Sequence, residues 1–311
     1  MIVGAVDIGG TKVAVGMVDE NGRVLAHVDF PSDPDNYAGA LQGIIAGLRE
    51  TSRSADVAIS GIGIGSTGPL DAFTGQYGLV DFLPGWRDQN LPQDLARVFG
   101  VSAAMENDGD AAVLGESGWG AGKNKPNIIY VTVGTGIGGG IFLNGRLYRG
   151  VEGAHPEIGH QVIASEGPVC SCGFRGCWES LAAGPGLALW ARAHAPADYP
   201  DREKLTTKLI CQLARQGMAW AREVVDREAR LLGVGIANLI SLFTPNAIVL
   251  GGSVMKSADL LMDGIRREIA SGCKFVPADK TEILLASLGE HANLIGAARV
   301  WHFRCGEAAA T

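Results

Sequence analysis

The sequence predicts an α/β protein built as two related lobes facing a central cleft. Two segments far apart in the chain repeat one plan: apolar run, glycine turn, apolar run, Asn-Gly, then a short tail, with NGRVL in the first answered by NGRLY in the second. The glycines cluster in short runs after β-like segments instead of forming flexible tracts. A chain of 311 residues with 47% hydrophobic content can also bury the cores of about two domains.

The first copy is IVGAVDIGGTKVAVGMVDENGRVLAHV (2–28), where a β-branched run ends at Asp7, a Gly9-Gly10-Thr11 turn follows, and a second apolar run leads to Asn21-Gly22. This reads as a three-stranded meander. Glycine in such a turn lets backbone N–H groups approach an anion with no Cβ in the way, and Thr11 adds a hydroxyl donor. Next, VSAAMENDGDAA (101–112) places Glu106-Asn107-Asp108 after a short apolar run and before an alanine-rich helical stretch. Strand ends of this kind carry the reactive groups of α/β proteins. Asp108 suits acceptance of a substrate hydroxyl proton and Asn107 the orientation of a neighbouring hydroxyl, although an Asn-Asp-Gly turn or helix cap accounts for the same residues. Asp110 serves as the comparison residue for Asp108.

The second copy, NIIYVTVGTGIGGGIFLNGRLYRG (127–150), turns at Gly134-Thr135-Gly136 and again at Asn144-Gly145. Either glycine turn alone is explained by a tight hairpin; two in matching settings favour a pair of phosphate cradles. GTGIGGG resembles a dinucleotide fingerprint, but a strand and hairpin signature follows it where a Rossmann unit needs a helix. No Gly-Lys-Ser/Thr P-loop occurs. A third glycine pair, Gly251-Gly252 in AIVLGGSV (247–254), follows a buried-strand run and is placed to meet the ribose or adenine of a nucleotide.

EGAHPEIGHQVI (152–163) contributes Glu157 and His160, upstream of GPVCSCGFRGCWES (167–180). His160, Cys170, Cys172 and Cys177 supply one imidazole and three thiolates, the count for a closed tetrahedral zinc site that staples a loop without performing chemistry. His155 is a competing nitrogen ligand. Glu179 follows Cys177-Trp178 directly, so the metal would fix its position. Cys211, Cys273 and Cys305 are scattered and read as small buried hydrophobes.

The function classes are bounded by charge and by the chain's start. A net charge of −7 with no Lys/Arg run argues against nucleic acid or an anionic membrane as partner. The opening MIVGAVDIGG has no signal-peptide pattern, and no stretch of eighteen uncharged apolar residues occurs, so a cytoplasmic enzyme is expected. Thiols stay reduced there, which favours metal ligation over disulfides.

Asp7-Ile8-Gly9-Gly10-Thr11-Lys12, Glu106-Asn107-Asp108, Glu157-Ile158-Gly159-His160, Cys170-Ser171-Cys172-Gly173 with Gly176-Cys177, and Glu179 resemble, in order from about residue 3 to about residue 300, the ROK family of sugar kinases. The resemblance implies an actin/hexokinase-like (ribonuclease H-like) fold, with a small lobe at 1–112 plus a returning helix at 293–311 and a large lobe at 113–292. It implies ATP-dependent phosphorylation of a hexose, first of all glucose at the entry to glycolysis; alternatives are an N-acetylmannosamine kinase, a fructokinase or mannokinase, or a sugar-sensing regulator. The DIGGTK strand begins at residue 2, leaving no room for the winged helix of regulators, and DIGGTK matches the ATP-using pattern over the polyphosphate-using one.

By position, Asp7, Gly9, Gly10, Thr11 and Lys12, with Gly134, Thr135 and Gly136, would hold phosphates and magnesium. Asp108 would be the general base. Asn107, Asp108, Glu157, His160 and Glu179 would grip sugar hydroxyls around one ring face, leaving the exocyclic CH₂OH to meet Asp108. His160 would serve zinc and sugar through its two ring nitrogens, and the assembly expected from the resemblance is a homodimer.

Overall fold

The computed structural model describes residues 1–306; the remainder of the expected returning helix, 307–311, lies outside the described residues. The chain opens with a meander, β1 (Ile2–Ile8), β2 (Lys12–Asp19) and β3 (Val24–Pro31), then runs through α1 (Tyr37–Ser54), β4 (Gly61–Ser66), the short pair β5 (Leu70–Asp71) and β6 (Gln76–Tyr77), α2 (Leu91–Phe99), β7 (Ala103–Asn107) and α3 (Asp108–Trp119). The second meander is β8 (Asn127–Val133), β9 (Ile137–Leu143) and β10 (Arg146–Leu147). It is followed by α4 (Trp178–Ala182), α5 (Gly184–His194), α6 (Thr207–Arg215), α7 (Ala219–Phe243), β11 (Ala247–Gly251), α8 (Ala258–Gly272), β12 (Glu282–Leu285) and α9 (Ala292–Trp301). Both meanders expected from the repeated plan are present, the first extended to Pro31.

The chain divides into two compact units, the first made of Met1–Lys125, Gly140–Pro156 and the segment from Ala286, the second of Pro126–Gly139 and Glu157–Leu285. In the first unit the sheet order is β3-β2-β1-β4-β7, antiparallel within the meander and parallel from β1 to β4 to β7. β1, β2 and β4 are apolar almost throughout because both sheet faces are covered. Val6, Ile8, Val15 and Ile64 pack with Ile44 and Leu48 of α1 and Leu95 of α2. On the opposite face, Val3, Ala5 and Ala14 pack with Leu294, Ala297 and Trp301 of α9. That helix lies so close to β4 that a Cβ on Gly63 would overlap the Ala297 carbonyl. α3 runs unbroken past residue 112 and packs along α9, so a division at 112 would cut a helix that belongs whole to this unit.

The second sheet is ordered β10-β9-β8-β11-β12, with β8, β11 and β12 parallel. Asn144 and Gly145 both have positive φ, 53° and 77°, the two-residue turn that the Asn-Gly pair predicts between β9 and β10. In the second unit the 25-residue α7 packs against α6 and α8. Among the described residues no helix is long and apolar enough to cross a membrane.

Candidate active site

In the first unit the parallel register aligns three strand ends: Asp7 pairs with Gly65, which pairs with Glu106, and Ile8 with Ser66, which pairs with Asn107. The acidic residues read from two distant motifs thus arrive at one edge of one sheet. Asn293 donates from Nδ2 to Asp7 Oδ2 at 3.0 Å. Burial pushes the Asp7 carboxyl up to about 6; the Asn293 bond opposes the rise, and the Asp108 charge adds to it. Such a shift favours the neutral acid in the folded state, so the stability it brings is present below pH 3.8 and is lost as the pH rises through about 6. Asp7→Asn is therefore expected to raise the melting temperature at pH 8, and to lose that advantage at pH 4, in a thermal-melt series across both values.

Gly9 N–H donates to the Lys12 carbonyl at 3.0 Å, closing the first glycine turn, and the Phe82 side chain lies against Gly10. Lys12 Nζ pairs with Asp29 at 2.9 Å on an exposed surface, so a phosphate contact by Lys12 competes with that pair. Asn107 is the N-cap of α3, its side-chain oxygen accepting from Gly109 N–H at 2.8 Å. The capping explanation is therefore correct, and it leaves the Asn107 Nδ2 donor for other work.

Behind this pair, Glu106 and Asp110 are both 0% exposed. One guanidinium, that of Arg149, bonds to both carboxylates, and His155 Nδ1 lies 3.0 Å from Asp110 Oδ2. Burial pushes the Glu106 carboxyl up to about 7 against the pull of Arg149. His155 thus belongs with Asp110 in the first unit and not with the cysteines, and Asp110 is too deeply engaged to serve as a neutral comparison for Asp108.

In the second unit, Gly134 N–H donates to the Gly136 carbonyl at 2.9 Å and the Gly134 carbonyl accepts from Gly184 N–H at 2.8 Å. Thr207 Oγ1 donates to the Gly184 carbonyl at 2.7 Å. The hairpin, the N-termini of α5 and α6 and the segment after β11 enclose a cavity of about 610 Å³, lined in part by Thr135, Lys208, Ser253 and Lys256. That volume lies within the usual range of a small-molecule site, and helix N-termini with lysines suit anionic groups. Gly252 has φ +91°, and a Cβ there would overlap the Val133 backbone; the lining itself begins one residue later, at Ser253. Sequence reading missed Gly184, Thr207, Lys208 and Lys256. The Gly184-Pro185 and Thr206 helix-start signals were there, but they mark helix ends in general and carry no ligand information.

His160, Cys170, Cys172 and Cys177 place their ligand atoms within 4.8 Å of one another. Cys170 Sγ is 3.4 Å from His160 Nδ1, and Cys172 Sγ is 3.5 Å from Cys177 Sγ. A tetrahedral zinc with ordinary bond lengths has ligand-to-ligand edges of about 3.6–3.8 Å, so the donor set fits that ion. Cys177 is the N-cap residue of α4, whose first turn holds Trp178, fully buried against Gly235, and Glu179. Glu179 Oε2 accepts from Ile137 N–H at 3.0 Å, and a Cβ on Gly159 would overlap the Ile137 carbonyl. The Ile137 peptide therefore bonds Glu179 and lies in close contact with the Ile158–His160 turn at Gly159. Glu157, just before that turn, is exposed.

Two five-stranded sheets with matching glycine hairpins, the first bearing the acidic strand ends, make this an α/β protein of the actin/hexokinase-like kind. The ROK family profile matches residues 3–304, and the chain belongs to the ROK family. It is 36% identical to the glucokinase of Streptomyces coelicolor over 94% of this chain and 95% of that protein. Among solved structures, it is similar to the ROK hexokinase of Thermus thermophilus (32% identity, 99% of this chain and 100% of that one, TM-score 0.82). It is also similar to the ROK family glucokinase of Streptomyces griseus in complex with glucose and AMPPNP (34% identity, 96% and 98%, TM-score 0.79).

Proposed function

We propose that the protein transfers the γ-phosphoryl group of ATP to the 6-hydroxyl of glucose. The observation that carries the reading is the acidic edge of the first sheet, where the register of β1, β4 and β7 brings the Asp7 strand end into line with the Glu106-Asn107 end from which α3 starts at Asp108. Two carboxylates that feel each other suit a site where one faces a magnesium ion and the other accepts a proton. In this reading the sugar oxygen bonds to the γ-phosphorus as ADP leaves, and Asp108 takes the hydroxyl proton. Asn107, Glu157, His160 and Glu179 hold the remaining hydroxyls. The nucleotide lies against the Gly134–Gly136 hairpin, with magnesium near Asp7 and the first glycine turn. Zinc on His160, Cys170, Cys172 and Cys177 is structural. The sequence relationship to glucokinases over nearly the full chain supports glucose as substrate. A cytoplasmic setting, where thiols stay reduced and can ligate a metal, belongs to this reading, and the homodimer rests on the family resemblance.

A coupled ADP-release assay with ATP and magnesium over glucose, N-acetylmannosamine, fructose and mannose tests the reading. Glucose is expected to give the highest kcat/KM. A rival exceeding it tenfold, about 1.4 kcal/mol of transition-state preference, replaces glucose and leaves the kinase in place. Tight sugar binding without ADP release removes the kinase in favour of a sensor.

A further inference from the structure

Arg149 spans a junction. It bonds Glu106, the penultimate residue of β7, and Asp110, in the first turn of α3, so its guanidinium bridges the strand-to-helix turn that presents Asn107 and Asp108. The geometry uses what distinguishes arginine from lysine, two donor groups fixed in one plane. The surroundings reinforce the clamp: His155 reaches Asp110, while Arg304 lies 3.7 Å from Glu106 Oε1 and also donates to the Ala72 carbonyl at 2.8 Å. Two buried carboxylates are thereby matched by two guanidiniums.

A buried ionic cluster is poor evidence of stabilisation, since apolar residues of similar volume often do as well. Breaking one is costly, because charges remain without partners. Here the cluster brackets a single catalytic candidate on both sides, and that is a positional feature. We infer that Arg149 is a positioning residue, clamping the β7–α3 junction so that the Asp108 carboxylate keeps its aim. The inference rests on Asp108 acting as the base proposed above. Without Arg149 the bridge between Glu106 and Asp110 across the turn is gone, and a displacement of about 1 Å at a reacting group is enough to cost on the order of 10²-fold in rate.

Three variants separate positioning from stability: Arg149→Met, Arg149→Lys, and the neutral triple variant Glu106→Gln/Asp110→Asn/Arg149→Met. Arg149→Met is expected to lose about 10²-fold in kcat and to melt at lower temperature. KM for ATP should stay unchanged, because the residues lining the candidate nucleotide cavity do not include Arg149. Arg149→Lys keeps the charge without the fork and should regain stability more than turnover. The triple variant should regain the melting temperature while kcat stays low. Recovery of kcat together with melting temperature in the triple variant overturns the inference, as does wild-type kcat in Arg149→Met. A wild-type protein that releases no ADP overturns the proposed function instead; the inference is then decided by the crystal structure of the triple variant, where an Asp108 carboxylate in its wild-type place refutes it.

Discussion

Asp108→Asn is expected to lower kcat by about 10²–10⁴-fold, the usual share of general-base catalysis, with the fold intact. The substitution keeps shape and removes the negative charge, and with it the ability to accept a proton. Its structural cost is small for two reasons. An acidic residue in the first turn of a helix is worth about 0.3–1 kcal/mol through the helix dipole, and the local acceptor for Gly109 N–H is retained by the asparagine oxygen. Against that loss stands the relief of Asp7, whose carboxyl is raised in part by the Asp108 charge. The melting temperature should therefore stay level or rise at pH 8, while turnover collapses. Activity within threefold of wild type, measured at saturating ATP and sugar, removes Asp108 as the base. Exposed Asp263 on α8 is the suitable comparison, and Asp263→Asn should leave kcat unchanged.

The residues that sequence could assign are those whose chemistry is written locally. The meanders are legible because glycine turns and Asn-Gly pairs interrupt apolar runs at strand spacing, as at Gly9-Gly10 and Asn144-Gly145. The knuckle is legible because here the ligands lie close in sequence, three cysteines within eight residues and His160 only ten residues before Cys170. What sequence could not show depends on pairing across long stretches of chain. The alignment of Asp7 with Glu106 follows from β4 lying between β1 and β7, and nothing in either motif specifies that order. Arg149 is 43 residues from Glu106 and looks like the tail of a hairpin until the fold folds it back. Asp110 reads as an ordinary acidic residue near a helix start, yet it is fully buried on Arg149 and His155. The walls of the second unit's cavity come from four separate stretches, each with a routine structural reading of its own.

Protein purified without added zinc is expected to carry about one zinc per chain, and Cys172→Ser to lose it together with most of the sugar affinity. Cys172 is the exposed member of the cluster, so its replacement leaves no cavity in a core, and the effects of the variant report the metal. The route from metal to sugar is short. Cys177 immediately precedes α4, the first turn of α4 carries Glu179, and Glu179 accepts from the Ile137 amide beside the glycine hairpin. His160 adds a second route, since its Nδ1 faces Cys170 and the other nitrogen is left for a substrate hydroxyl. Losing the ion frees the cysteine loop and with it the placement of Glu179 and His160, which is expected to raise KM for the sugar by about 10–100-fold. KM for ATP should move less, because within the candidate cavity only the Gly134-Thr135 turn adjoins Ile137, while Lys208, Ser253 and Lys256 are placed by α6 and by the turn after β11. A chelator that strips the metal from the wild-type protein should reproduce the same split between the two KM values. Metal-free protein with unchanged sugar KM would falsify the structural zinc. A disulfide between Cys172 and Cys177 in the active protein would exclude it as well, since neither sulfur could then serve as a thiolate ligand.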